Sequence, residues 1–168
     1  LYATLAMRGF FPKDILDSYC IDGGKLPGHS TINCAPAVEV STGSLGHGLS
    51  MGIGMALAAQ YDNRNYRVFV ILSDGECEEG SVWEAAMFAS HHKLDNLIAI
   101  VDYNKLQAFG RTKDVVNLEP LSEKWHAFGW VTKEIDGHNL NEIIETLQKV
   151  PFMKNKPSVL IAHTIKGK

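Results

Sequence analysis

Apolar residues run along this chain in two distinct patterns. Residues 67–72 (Arg-Val-Phe-Val-Ile-Leu) and 96–101 (Asn-Leu-Ile-Ala-Ile-Val) form nearly continuous apolar stretches with no polar alternation. Stretches of that kind suit strands buried on both faces of a parallel sheet. Between them, residues 80–93 place Trp83, Ala86, Met87 and Ser90 on one helical stripe, with Ser81 as the expected cap. The segment therefore reads β-α-β. The same patterns predict helices over 1–8 and 12–18, a Gly-rich helix over 45–59, a short helix over 121–128 and a strand over 130–135. A helix over 140–150 capped by Asn139 and a strand over 158–162 complete the series. This alternation predicts an α/β fold, a doubly wound, mainly parallel sheet with helices on both faces, in a single domain over 1–168.

The Gly-rich helix carries Gly48, Gly52 and Ala56 at four-residue intervals, so one face has almost no side chain and suits close helix–helix packing. Its start offers free backbone N–H groups to an anion. The apolar run over 45–59 is interrupted by His47 and is too short to span a bilayer.

Candidate chemistry sits where two strands run out, at Ser73-Asp74-Gly75 and Asp102-Tyr103-Asn104. A right-handed crossover brings the carboxyl ends of consecutive parallel strands to one edge of the sheet, and open α/β sheets bind ligands at that edge. Gly75 lets the backbone approach a phosphate without a Cβ in the way. Asp74, Asn104 and a backbone carbonyl suit Mg²⁺ or Ca²⁺ alongside diphosphate oxygens. Taken singly, each tripeptide is an ordinary turn after a strand; their joint spacing points to a metal–diphosphate site. His29 is a second candidate, because an imidazole can donate to a developing alkoxide or carry a proton near neutrality. Flanked by Gly28 and Ser30, it is otherwise a solvated loop residue.

The stretch from Ser73 to Asn104 resembles the thiamin diphosphate fingerprint, Gly-Asp-Gly followed by paired asparagines. Ser73 stands in place of the first glycine and Tyr103 in place of the first asparagine. Around it lie Leu26-Pro27-Gly28-His29, then Gly43-Ser44-Leu45-Gly46-His47-Gly48, Glu76-Cys77-Glu78-Glu79-Gly80 with Trp83-Glu84-Ala85, Phe128-Gly129-Trp130, and Asp136-Gly137-His138. In that order the chain resembles, over nearly its whole length, the amino-terminal, diphosphate-binding half of a transketolase, closest to the split form with two polypeptides. The resemblance implies transfer of a two-carbon ketol unit between sugar phosphates, with thiamin diphosphate and Mg²⁺ (or Ca²⁺) as cofactors. It implies that Asp74, Asn104 and the main-chain carbonyl of Leu106 ligate the metal, and that Gly75 lies against the diphosphate. Gly43 and Leu45 would touch the aminopyrimidine through their backbone, and His29 would stand near the substrate oxygen as the catalytic residue. Glu79 and Glu84 match acidic positions at the family's subunit interface, Glu79 being counted with the cofactor-binding residues.

In that family the activating glutamate belongs to the pyrimidine-binding domain, which this chain does not contain, and the chain also lacks the arginines with which the family grips a sugar phosphate. Activity is therefore expected only with a partner, a carboxyl-terminal transketolase half or subunit, in a homo- or hetero-oligomer. A related thiamin diphosphate carboligase of the deoxyxylulose-phosphate-synthase type and a non-catalytic homologue are the alternatives.

Composition fits such a domain. The chain has 168 residues, of which 45% are hydrophobic and 21% charged, enough for a substantial core. A formal net charge of −3 gives no reason to expect nucleic acid or an anionic membrane as partner. Cys20, Cys34 and Cys77 show no metal-binding spacing and are expected as free thiols in a reducing, cytoplasmic compartment. The chain opens on Leu1 in mid-helix without a signal peptide and stops soon after an apolar strand, so a piece of a longer polypeptide is expected.

Overall fold

The computed structural model describes all of residues 1–168, in two compact units, 1–44 and 45–168. In the first unit, helix α1 (Tyr2–Met7) is followed by a 3₁₀ helix (Lys13–Ser18) and a long loop. The helix expected over 12–18 is of the 3₁₀ type, ended where the Ser18 hydroxyl donates to the Ile15 carbonyl at 2.6 Å. Such local side-chain bonds compete with helix continuation. Tyr2, Ala6, Phe11, Leu26, Ala35 and Val38 form this unit's core. The Tyr2 hydroxyl donates to the Pro27 carbonyl at 2.9 Å, fastening α1 to the loop that carries His29.

The second unit runs α2 (Gly48–Tyr61), β1 (Val68–Ser73), a 3₁₀ turn (Gly75–Glu78), α3 (Gly80–His91), β2 (Leu97–Tyr103) and a short hairpin, β3 (Leu106–Gln107) with β4 (Gly110–Arg111). Then follow α4 (Thr112–Val115), α5 (Leu121–Ala127), β5 (Val131–Asp136), α6 (Leu140–Gln148) and β6 (Ser158–His163). The main sheet has the order β1-β2-β6-β5 with every pairing parallel. The hairpin and α4 have no counterpart in the hydrophobic pattern, because elements of two to four residues are too short to show a period.

Side chains alternate across the sheet, as the pleat requires. Val68, Val70 and Leu72 of β1, Leu97, Ala99 and Val101 of β2, and Val159 and Ile161 of β6 join α2, α3 and α5 in the larger core. Ile98, Leu160, Ala162 and Ile135 face the other way and pack with Ile143 and Leu147 of α6. Helices therefore cover both faces, but unevenly. β1 is an edge strand whose outward residues Phe69 and Ile71 are 43% and 73% exposed. Burial on both faces, expected for both apolar runs, holds for β2 alone, since α6 does not reach β1.

The small-residue face of α2 packs on the sheet, where close helix–helix packing was expected. A Cβ added at Gly52 would lie 2.5 Å from Val70 Cγ2 and 3.4 Å from Leu97 Cδ1. An indole cluster within the larger core links α3, α5 and the residue before β5: the rings of Trp83 and Trp125 lie 5.2 Å apart, those of Trp125 and Trp130 4.9 Å. Asn139 caps α6 as expected, its side chain accepting from the Glu142 N–H. No helix is long and apolar enough to cross a membrane.

Two outcomes follow from this packing. Gly52→Ala should lower stability by about 1–3 kcal/mol through overpacking against Val70. Gly54→Ala, on the same helix but with open space around its Cβ, should raise it by up to ~1 kcal/mol; urea melts of the two variants check the contrast. Burial, reinforced by the charges of Glu76, Asp74 and Glu78, pushes the Cys77 thiol up to about 12. Folding therefore favours the protonated thiol, a contribution present below the ordinary cysteine value of about 8.5 and lost as pH rises toward 12. At pH 8 a thiol reagent should modify exposed Cys20 in the native protein and reach Cys77 only after unfolding, as read by mass spectrometry; equal labelling would contradict the packing.

Candidate functional site

Parallel register sets the site's frame. Ser73 pairs with Asp102, and His163 with both Tyr103 and Asp136, so the carboxyl ends of the four strands finish nearly level. The turns beyond them border a cavity of about 710 Å³ whose wall includes Leu45, Gly75, Asn104, Leu106, Gln107 and Lys166.

Asp74 lies just behind that wall, between cavity-lining Ser73 and Gly75, and is completely buried. One carboxylate oxygen accepts the Gly75 N–H at 2.7 Å and the other the Lys105 N–H at 2.6 Å. The side chain therefore bolts the turn after β1 to the turn after β2, and Lys105 takes a positive φ of 65° to reach it. The Asn104 amide is oriented from both ends: its NH₂ donates to Asp102 at 3.1 Å and its oxygen accepts the Leu106 N–H at 2.9 Å. Asp102 in turn accepts from the Thr164 hydroxyl. Gly75 is needed for close approach, since a Cβ there would sit 3.1 Å from the Gln107 Cβ.

Both departures from the fingerprint have structural partners. The Ser73 hydroxyl accepts the Glu76 N–H at 3.0 Å while Glu76 accepts the Ser73 N–H at 3.2 Å, a reciprocal capping box around Asp74 and Gly75. The second Glu76 oxygen accepts the Gly46 N–H at 3.0 Å. Sequence reasoning did not single out Glu76, although Ser-x-x-Glu at a strand end carries that signal. Tyr103 turns into the core and donates to Glu119, away from the cavity wall. Burial, with the Glu119 carboxylate beside it, raises the Tyr103 hydroxyl well above the ordinary tyrosine value, and that hydrogen bond holds Glu119 below the usual carboxylate range.

Ser81 does not cap α3. Glu79 occupies the N-cap position without a side-chain cap bond, and the Ser81 hydroxyl instead donates to the Gly46 carbonyl at 3.0 Å. Glu79 itself is exposed and absent from the cavity wall.

His29 and Gly43 meet within the first unit. Gly43 has φ 125°, and a Cβ there would lie 3.0 Å from the His29 ring. The segments carrying them are joined by the Thr42 N–H to the Ser30 carbonyl at 2.8 Å and by the Ser30 and Thr42 hydroxyls at 2.7 Å. The imidazole is exposed.

Known proteins extend this geometry. The family described as transketolase, thiamine diphosphate binding domain, matches residues 1–168. The chain is 46% identical over its whole length to the 6-deoxy-6-sulfo-D-fructose transketolase subunit SqwG of Clostridium sp. (strain MSTE9), covering 61% of that protein. It is also 46% identical, again over its whole length, to an apulose-4-phosphate transketolase subunit of Phocaeicola vulgatus, covering 59%. The chain thus spans about three-fifths of the length of these relatives. Among solved structures, a Pichia stipitis transketolase complexed with sedoheptulose 7-phosphate superimposes with a TM-score of 0.91 at 31% identity, over 97% of this chain and 26% of that one. A Leishmania mexicana transketolase gives a TM-score of 0.88 at 31% identity over the same shares. The strand-end turns, the cavity they border and these matches together establish that the chain belongs to the thiamine diphosphate-binding domain family of transketolases.

Proposed function

We propose that this chain is the metal- and diphosphate-binding half of a transketolase-type enzyme that transfers a two-carbon ketol unit between sugar phosphates. The observation that carries this reading is Asp74, a fully buried carboxylate with no cationic side chain paired to it. An uncompensated buried charge is costly, and a bound cation would offset it. Each Asp74 oxygen spends one lone pair on an N–H and keeps another for a metal.

The neighbouring donors suit a hard cation. Asn104 presents an amide oxygen whose orientation is fixed by Asp102, and Leu106 has a backbone carbonyl on the same turn. No group of three or more His, Cys, Asp or Glu side chains gathers anywhere in the chain to hold a metal alone. Three protein oxygens supplemented by diphosphate oxygens agree with the ligand preference of Mg²⁺ or Ca²⁺. On this reading Asp74, Asn104 and the Leu106 carbonyl hold the metal, Gly75 admits the diphosphate, and the Gly43 and Leu45 backbone receives the aminopyrimidine. His29 holds or donates a proton at the substrate oxygen, while Glu79 belongs to the subunit interface beside the cofactor. Thiamin diphosphate, when bound, supplies the electron sink for ketol cleavage; the protein binds, orients and excludes water.

A partner carrying the pyrimidine-binding domain completes the enzyme, whether within one polypeptide or as a second subunit. The relatives named as transketolase subunits support the second arrangement. Unpaired Cys20, Cys34 and Cys77 support a reducing, cytoplasmic setting.

In the full-length protein with its partner and Mg²⁺, Asp74→Ala should weaken thiamin diphosphate binding by ~100-fold or more while leaving the circular dichroism spectrum intact. Unchanged affinity would sink the ligand assignment. Chelation with EDTA should release the cofactor from the wild-type protein, and readdition of Mg²⁺ or Ca²⁺ should restore it; retention in EDTA would show binding without metal.

A further inference from the structure

Gly46 is held more tightly than a loop glycine needs to be. It is buried at φ 80°, and a Cβ there would lie 2.5 Å from the Ser81 Oγ and 2.7 Å from the Glu79 Cβ. Any side chain would therefore collide with the start of α3, quite apart from the backbone strain. Both polar groups of this residue are also taken, the N–H by Glu76 at 3.0 Å and the carbonyl by Ser81 at 3.0 Å. The Glu76 carboxylate is shared: its other oxygen accepts the Ser73 N–H, immediately before Asp74. One anionic group thus spans from the loop at Leu45 to the turn that carries the candidate metal ligand, and hydrogen bonds to a carboxylate are roughly twice as strong as neutral ones.

We propose that Glu76 and Ser81 are positioning residues that clamp the Gly46 peptide and so fix the spacing between the Leu45 loop and the Asp74–Gly75 turn. The inference rests on the cofactor reading above, in which the Leu45 backbone receives the aminopyrimidine and Gly75 the diphosphate. Leu45 and Gly75 border the same cavity, so slippage of one against the other would spoil the fit of a ligand that must touch both. A ligand that touches only the Asp74–Gly75 turn would be indifferent to such slippage. That difference separates a positioning role from general support of the 3₁₀ turn. The capping box also gives Ser73, which stands where the fingerprint has glycine, a partner of its own: its hydroxyl accepts the backbone N–H of Glu76.

The test compares Glu76→Gln and Ser81→Ala with wild type in the full-length protein assembled with its partner. Affinities for thiamin diphosphate and for inorganic pyrophosphate, each with Mg²⁺, are measured by calorimetry, and exchange of the Gly46 amide by hydrogen exchange. Ser81→Ala leaves the 73–76 turn untouched, so it remains informative if Glu76→Gln folds poorly. In Ser81→Ala, thiamin diphosphate should weaken by about tenfold with pyrophosphate kept within about twofold; in Glu76→Gln, which frees the Gly46 N–H, exchange of that amide should speed by about tenfold. Equal weakening of both ligands by Ser81→Ala, or of neither, would overturn the clamp while leaving the cofactor reading standing. Wild-type protein that binds pyrophosphate and Mg²⁺ but no thiamin diphosphate would overturn the cofactor reading, and the clamp's role with it.

Discussion

The Asp74 carboxylate is the interaction on which the site depends. By accepting one N–H from Gly75 and one from Lys105, it joins the ends of two adjacent parallel strands through a single side chain. A carboxylate can do this in a fully buried position only if its charge is answered, and the chain supplies N–H dipoles but no cation. On the proposed reading a divalent ion answers that charge. Everything nearby serves that arrangement. Asp102 turns the Asn104 amide, the Ser73–Glu76 box shapes the turn around Asp74, and Gly75 lets Gln107 close in.

The sheet makes that convergence possible. β1 and β2 are neighbours in register, so Ser73 and Asp102 end side by side although a helix separates them in sequence. The small-residue face of α2 lies hard on Val70, bringing the chain around Leu45 down toward the strand ends, where Glu76 and Ser81 take hold of Gly46. Packing in the core and polar bonds at the rim thus specify the same geometry, the consistency across levels expected of a uniquely folded sequence.

Much of this is legible in the amino-acid sequence. The apolar runs over 67–72 and 96–101 mark two parallel strands, and the polar tripeptides at their ends mark the candidate site, because a sheet delivers strand termini to a common edge whatever lies between them. Family resemblance, borne out over residues 1–168, added the cofactor. Other features were hidden for physical reasons. Exposure of Phe69 and Ile71 depends on strand order, which a local pattern cannot carry. Ser81 has the composition of a helix cap, yet tertiary contact with Gly46 diverts its hydroxyl. The small-residue stripe of α2 announced close packing but pointed to a helix as the neighbour, where the structure has the sheet. Glu76 is marked by the Ser-x-x-Glu spacing from Ser73, whereas Asp102 acts by orienting the Asn104 amide, and orientation has no signature in residue type alone.

The central claim is that this chain holds half of a cofactor site. Calorimetric titration of thiamin diphosphate into the full-length protein with Mg²⁺, with and without a separate polypeptide or domain carrying the pyrimidine-binding half, tests it most directly. Tight binding only when metal and partner are both present is the predicted result. Equally tight binding without the partner, or none under any combination, would contradict it.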